Sequence, residues 1–255
     1  MNKKADVVIV GTGVAGLFSA LNLPDDKEII MITKSDAESS DSFLAQGGIC
    51  VLRDEQDYDS YFEDTMRAGH YENRKESVDI MIRSSGKIIE DLVGYGVEFE
   101  KDGEAFAYTR EGAHSRPRIL FHADVTGKEI TSKLLARVRE KNNVTIYEYT
   151  TMTDILEENG KCAGITVKTQ SGEESSIYAD YTILASGGIG GLYQHSTNFP
   201  HLTGDALEVA KKHHIRLEHL DYVQIHPTTL YSEKPGRRFL ISESCLLYTS
   251  PSPRD

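Results

Sequence analysis

A glycine-rich turn near the N-terminus has the spacing of a phosphate-binding turn. Gly11, Gly13 and Gly16 form a GxGxxG pattern between an apolar run at residues 6–10 and a stretch with helical spacing at residues 17–21. The first two glycines permit a tight turn and the close approach of a pyrophosphate, and the third lets the helix pack on the strand. Free N–H groups at the start of that helix suit phosphate oxygens. The pattern therefore predicts dinucleotide binding.

One feature departs from the general dinucleotide fingerprint. A second apolar strand is predicted at residues 28–33, and an acid is expected at its end to bind the ribose hydroxyls. The chain instead carries Thr33 and Lys34 there. We expect Lys34 to make a different contact, with a ribose or a phosphate; the alternative is a solvated surface lysine.

Two further loops have residue types that suit a flat cofactor. Residues 41–48 (DSFLAQGG) combine small side chains with a glycine pair, which lets the backbone approach a ring, although the same residues also suit an ordinary loop. Residues 203–205 (TGD) open a helix predicted at residues 205–212. The carboxylate of Asp205 is expected either to cap that helix or to contact a cofactor hydroxyl.

Two polar segments are candidates for substrate binding. Residues 109–118 (TREGAHSRPR) hold three arginines beside Glu111 and His114, which suits a small dicarboxylate, whereas the alternative is a solvated loop. Residues 224–228 (QIHPT) follow a cluster of polar side chains, and in this company we expect His226 to be functional.

These motifs need a sheet and helices to position them. The strand–turn–helix–strand unit at the N-terminus predicts a parallel sheet. Alternating residues predict antiparallel strands at 144–149, 153–157, 162–169 and 174–178, and a buried strand follows at 181–185. Short strands are expected at 97–99 and 106–109 around a turn at 101–103. Helices are predicted at residues 57–68, 75–95 and 127–141.

Composition excludes several classes of protein. The 255 residues are 39% hydrophobic and 27% charged, the balance of a globular protein, and the formal net charge of −12 disfavours a nucleic-acid partner. The three cysteines are widely spaced and lack the spacing of a disulfide framework or a metal site, so no metal is expected. Without an apolar run of about 18 residues or a signal peptide, we expect no membrane partner and a cytoplasmic location.

Taken together, the motifs resemble those of the flavoprotein family of succinate dehydrogenase, fumarate reductase and L-aspartate oxidase. The resemblance rests on five ordered segments: 11–16, 45–48, 185–188, 203–205 and 224–228. It implies an α/β fold, with a Rossmann-like FAD-binding domain that combines a parallel sheet and an antiparallel β insertion. The FAD-binding domain would span residues 1–225, a capping domain would begin at 226–244, and residues 245–255 would be a non-native tail.

Two positions distinguish the branches of that family. Asp41 occupies the position where the dehydrogenases and reductases carry a histidine bonded to FAD, which implies non-covalent FAD. The segment TREGAHS, followed by Arg118 and by HADVTG at 122–127, is similar to the L-aspartate oxidase signature. A soluble fumarate reductase or succinate dehydrogenase flavoprotein stays the alternative enzyme, and a non-catalytic FAD-binding fragment the alternative from another class.

The resemblance also implies roles for individual residues. Glu111 and His226 would orient the substrate, and Gln224, Ser242 and Glu243 would line its site. The residues implied to contact FAD are Gly11, Thr12, Gly13, Val14, Ala15, Gly16, Lys34, Asp41, Ser42, Phe43, Leu44, Ala45, Gln46, Gly47, Gly48 and Asp205.

The implied reaction is oxidation of L-aspartate to iminoaspartate in de novo NAD synthesis. A hydride would pass to flavin N5, and the electrons would go to O2 or fumarate, with quinolinate synthase as a candidate partner protein. The family's catalytic arginine has no match in these 255 residues. We therefore expect a truncated chain that binds FAD without turning over.

Overall fold

A computed structural model describes residues 2–226 and 228–241. Its strands and helices, in chain order, are β1 (Lys3–Val10), α1 (Val14–Asn22), β2 (Ile29–Ile32), α2 (Asp41–Leu44), β3 (Ile49–Cys50), α3 (Tyr58–Ala68), α4 (Lys75–Gly94), β4 (Lys101–Asp102), β5 (Ala105–Phe106), β6 (Ile119–Leu120), α5 (Thr126–Glu140), β7 (Val144–Tyr147), β8 (Thr150–Glu158), β9 (Lys161–Thr169), β10 (Glu174–Leu184) and α6 (Asp205–Lys212). Short 3-10 helices lie at Glu55–Asp57 and Gly190–Leu192.

The described residues divide into two compact units. The first unit comprises the residues before Ala45 together with Leu134–Ile241, and the second comprises Ala45–Lys133. The expected boundary between residues 225 and 226 is a different division, and it stays a prediction.

A six-stranded mixed sheet forms the centre of the first unit. The strand order is β7-β2-β1-β10-β9-β8, in which the first four strands are parallel and the last three are joined by antiparallel pairing. The four residues of β2 are all buried, as expected of a parallel strand covered on both faces. The predicted α/β fold, with parallel strands and an antiparallel addition, is confirmed.

The last strand in chain order, β10, differs from its sequence prediction. Two strands were expected, at residues 174–178 and 181–185, but β10 is continuous over 11 residues. Its first half pairs with β9, and pairing with β1 continues along the second half as far as Val10 and Leu184. One strand therefore joins the antiparallel strands to the parallel ones.

The first unit has an aliphatic core on the sheet. Val8, Ile30, Ile165 and Ile177 are buried there, and Val209 brings α6 against the same cluster. Burial of each such side chain contributes about 1.5–3 kcal/mol to the free energy of unfolding. This packing places the N-terminus of α6 beside the ends of the central strands.

The second unit is built on two helices and short strand pairs. Its core contains Tyr61 and Met66 of α3 together with Val78 and Ile82 of α4. β3 pairs with β6, and β4 pairs with β5, both antiparallel.

Of the two short strands expected in this region, the one at residues 97–99 was wrong, and the one at 106–109 overlaps β5 only at Phe106, with an isolated bridge at Thr109. Lys101 and Asp102, predicted to turn, form β4, whereas Val97 and Phe99 are buried without lying in a strand. Two apolar residues on either side of an exposed Glu98 mark burial, and burial alone does not specify a strand.

Candidate functional site

The glycine turn joins β1 directly to α1. Gly13 is the N-cap of α1 with no side-chain cap, and no acid lies in the first turn of the helix. The backbone N–H of Val14 donates to the hydroxyl of Ser42 at 3.1 Å. The start of α1 thus presents backbone donors without a competing carboxylate, which suits an anion.

Two of the glycines are required by close backbone contacts. A Cβ on Gly11, whose φ is +116°, would lie 2.2 Å from the carbonyl oxygen of Ala185. A Cβ on Gly16 would lie 2.1 Å from the carbonyl oxygen of Gly11. The predicted roles of tight turn and close helix packing therefore have a direct steric basis.

A cavity of about 250 Å³ opens beside this turn in the first unit. It is lined by residues 10–15, 32–34, 39–42, 150–152, 185–187 and 201–206. Of the residues implied to contact FAD, this cavity therefore brings together Gly11, Thr12, Gly13, Val14, Ala15, Lys34, Asp41, Ser42 and Asp205.

Lys34 and Asp205 form an ion pair at the cavity wall. The ammonium of Lys34 donates to the Asp205 carboxylate at 2.8 Å and to the Thr203 hydroxyl at 2.7 Å, and each charged side chain is about one-third exposed. The N-cap of α6 is Gly204, which has a left-handed conformation, so Asp205 does not cap the helix through its side chain. The first residue of α6 thus places a carboxylate beside Lys34, next to the end of β2.

Asp41 is held by the loop that precedes α6. Its carboxylate accepts hydrogen bonds from the side-chain amide of Asn198 and, at 3.1 Å, from the backbone N–H of Phe199. The imidazole of His201 contacts the carbonyl oxygen of Ser39 at 3.0 Å. These contacts fix residues 39–42 against residues 198–201 on one side of the cavity.

The cavity fits the adenine-dinucleotide part of a flavin cofactor. It combines backbone donors at the start of α1, where no carboxylate competes, with two glycines that leave no room for a Cβ and a carboxylate able to accept from a hydroxyl. The sequence did not indicate a role at this site for Asn198, His201 or residues 150–152. These residues lie more than 100 positions from the glycine turn and form no motif of their own.

In the second unit, Glu111 lies over the glycine pair that follows Leu44. Its carboxylate oxygen is 3.0 Å from the position that a Cβ on Gly47 would take. A Cβ on Gly48 would lie 2.3 Å from the Ile119 side chain. Within residues 2–226 and 228–241, the exposed carboxylate of Glu111 has no hydrogen-bond or ion-pair partner, so it is available to a cationic group.

The expectation that three arginines serve a dicarboxylate is wrong for Arg118. Its side chain is fully buried, and its guanidinium is paired with Asp57 at 2.9 Å and Asp64 at 2.6 Å. A guanidinium that is already paired twice has no free face for a ligand. Arg110 and Arg116 are exposed.

The remaining substrate candidates lie near the end of the described chain. Gln224 is exposed, and the Nδ1 atom of the half-buried His226 lies 2.9 Å from the carbonyl oxygen of Thr228. Ser242 and Glu243 lie outside the described residues, as does the predicted tail at 245–255. The roles of all four residues stay predictions.

The described part of the chain offers neither a metal-binding cluster nor a membrane-spanning helix. Among those residues, no group of three or more His, Cys, Asp or Glu side chains could hold a metal ion. None of the described helices combines the length and the apolar character needed to cross a membrane.

Comparison with known sequences gives a consistent set of relatives. The sequence model of a family described as FAD binding domain matches residues 6–247. An L-aspartate oxidase of Clostridium perfringens is 46% identical over 245 residues, which cover 96% of this chain and 56% of that protein. An L-aspartate oxidase of Clostridium acetobutylicum is 43% identical over 246 residues, again covering 96% and 56%. The chain thus spans about half the length of the curated relatives it matches.

Solved structures show the same fold. A quinol-fumarate reductase with menaquinol molecules has a TM-score of 0.89 at 26% identity, over 96% of this chain and 43% of that one. A flavocytochrome c3 fumarate reductase in an open conformation has a TM-score of 0.83 at 22% identity, over 95% and 45%. At 22% identity, the second likeness supports the fold alone.

Proposed function

The chain belongs to the family described as FAD binding domain, its cofactor is FAD, and on that premise we propose that it serves the oxidation of L-aspartate. The product would be iminoaspartate, for NAD synthesis in the cytoplasm, with O2 or fumarate as the electron acceptor. Bound FAD supplies the acceptor for a hydride. What the protein itself contributes is binding, orientation and charge.

In this proposal the first unit holds the cofactor without a covalent bond. The backbone N–H groups at the start of α1 donate to phosphate oxygens, and Asp205 accepts from a ribose hydroxyl while Lys34 balances its charge. Asp41 replaces a bonded histidine, and its carboxylate is engaged by Asn198 and Phe199. The resemblance implies further contacts in this unit at Phe43 and Leu44, and others, from residues assigned to the second unit, at Ala45, Gln46, Gly47 and Gly48.

In this proposal, the Glu111 carboxylate selects L-aspartate over succinate as the substrate. Its exposed carboxylate, without a partner among the described residues, can accept from the ammonium of L-aspartate and so orient the Cα–H bond. Succinate has no ammonium and two negative charges, so the same carboxylate would repel it. Gln224, His226, Ser242 and Glu243 are proposed to bind the rest of the dicarboxylate.

The second candidate is a fumarate reductase or succinate dehydrogenase flavoprotein. It is favoured by the TM-score of 0.89 with a quinol-fumarate reductase. The two candidates differ in the ligand that changes the flavin spectrum: L-aspartate for the first, succinate for the second.

The test is an anaerobic visible spectrum of the chain reconstituted with FAD. L-aspartate should change the flavin absorbance and succinate should not. Glu111→Gln keeps the size of the side chain, and it should retain FAD while losing the response to L-aspartate. A response to succinate, or an unchanged response in Glu111→Gln, would contradict the proposal.

The same spectrum tests whether these 255 residues turn over. We propose that they bind FAD and L-aspartate without hydride transfer. Shifted flavin bands without bleaching would support this, whereas bleaching by L-aspartate would show that the residues present suffice for reduction.

A further inference from the structure

Glu111 lies in a loop at residues 110–117, and a backbone bridge holds the ends of this loop together. Thr109 and Ile119 exchange two hydrogen bonds, each at 3.0 Å. Within the loop, the N–H of His114 donates to the carbonyl oxygen of Glu111 at 3.0 Å, which closes a turn. Glu111 lies two residues beyond this bridge, at the start of the turn.

A carboxylate on α3, that of Asp64, holds the loop at Ser115. The backbone N–H and the hydroxyl of Ser115 both donate to the same oxygen of Asp64, each at 2.7 Å. Only 6% of the Asp64 side chain is exposed. Hydrogen bonds to a buried carboxylate are among the stronger contacts of a folded chain.

Asp64 is in turn fixed by Arg118. The guanidinium donates to the Asp64 oxygen at 2.6 Å and to the two oxygens of Asp57 at 2.9 and 3.1 Å. Arg67 donates to the second oxygen of Asp64 at 2.8 Å. Burial by itself raises the pKa of Asp64, but hydrogen bonds from Ser115 and Arg118 outweigh it and lower this pKa to about 2. The Asp64 carboxylate, which anchors the loop, is therefore charged at neutral pH, and its oxygens accept hydrogen bonds from the protein's own donors.

We propose that Asp64 is a positioning residue which, through Ser115, sets the place of the Glu111 carboxylate that binds the ammonium group of the substrate. This inference rests on the proposed function. Asp64 does not itself bind the ammonium, because its oxygens already accept from Ser115, Arg118 and Arg67. Its contribution is to remove freedom from residues 111–115, beside two further contacts of the loop: His114 Nε2 with the Cys50 sulfur at 3.1 Å, and the Pro117 carbonyl oxygen with Arg53 at 3.2 Å.

Ser115→Ala is the main test, because it removes one hydrogen bond and leaves the charges of Asp64 and Arg118 in place. Hydrogen exchange of the full chain should be about tenfold faster at residues 110–117, the effect of losing one bond to a charged acceptor, with α3 and α4 unchanged. Ser115→Thr keeps the hydroxyl and should restore the wild-type rate. Asp59→Asn, at an exposed carboxylate on the same helix, is the matched control and should have no effect.

The substrate effect is measured on the FAD-reconstituted chain. In Ser115→Ala, the L-aspartate concentration for the half-maximal flavin response should rise about tenfold, while the maximal response is unchanged. Unchanged exchange at 110–117 in Ser115→Ala, or faster exchange with the wild-type half-maximal concentration, would overturn the proposal. If Glu111→Gln leaves the aspartate response intact, the proposed function fails, and the exchange measurement then still reports on the anchor alone.

Discussion

The ammonium of Lys34 lies 2.8 Å from the carboxylate of Asp205, although the two residues are 171 positions apart in the sequence. Lys34 follows β2, where a dinucleotide site usually carries its ribose-binding acid, and Asp205 is the first residue of α6. The pair therefore restores a carboxylate to that end of the sheet. The negative charge of that carboxylate is balanced by the Lys34 ammonium at the cavity wall.

Asp205→Asn should weaken FAD binding about tenfold. The amide keeps the shape of the side chain but loses the charge that pairs with Lys34 and the strength of a charged acceptor for a hydroxyl. The dissociation constant can be measured by quenching of FAD fluorescence. Asp180→Asn, at an exposed carboxylate on β10, should bind FAD as the unmodified chain does. Equal affinity of the Asp205 and Asp180 variants would show that Asp205 does not contact the cofactor.

Gly11→Ala should prevent FAD binding and lower the free energy of unfolding by more than about 2 kcal/mol. The new Cβ would lie 2.2 Å from a backbone oxygen, at a φ of +116° that L-residues avoid. Gly86→Ala is the control, because Gly86 lies inside α4 with nothing within 4 Å of a new Cβ. That change should raise the free energy of unfolding by up to about 1 kcal/mol. Urea unfolding of both variants measures the difference, and a tolerated Gly11→Ala would refute the steric argument.

Local patterns predicted the fold and the glycine turn well, because each depends on residues that are neighbours in the chain. The helix at residues 205–212 agrees with α6 at both ends, and the apolar runs of β1 and β2 predicted buried parallel strands. The partners of Lys34 and Asp41 could not be predicted in this way. Asp205 and Asn198 reach them only after the chain has completed the sheet.

In the second unit, the sequence likewise could not indicate which arginine of residues 109–118 is paired within the protein. In the sequence, Arg118 is equivalent to Arg110 and Arg116, and all three suit a dicarboxylate. Only the packing of α3 places Asp57 and Asp64 beside Arg118 and buries it completely. Spacing indicates which side chains are near in the chain, whereas burial decides which of them stay free.

Cys50 should react more slowly with N-ethylmaleimide than Cys162 does at neutral pH. Burial raises the pKa of the Cys50 thiol, so little of it is thiolate, whereas Cys162 is exposed on β9. Raising the pH from 7 to 9 should increase the Cys50 rate steeply. Peptide mapping by mass spectrometry gives both rates in one sample, and faster labelling of Cys50 at pH 7 would contradict a raised pKa of its half-buried thiol.

Asp154→Asn should destabilise the first unit at neutral pH and lose its effect in acid. Asp154 joins β8 to the C-terminus of α6 through Lys212 and His213, and chiefly the hydrogen bond from Lys212 lowers its pKa from 3.8 to about 2. A carboxyl whose pKa is lower in the folded chain contributes stability above its unfolded pKa, and this contribution is lost as the pH falls toward the folded value. The difference in urea midpoint between the unmodified chain and Asp154→Asn should therefore be constant above about pH 5 and shrink between pH 4 and pH 2. A difference that stays constant through that range would mean that packing, and not the charge of Asp154, holds the C-terminus of α6.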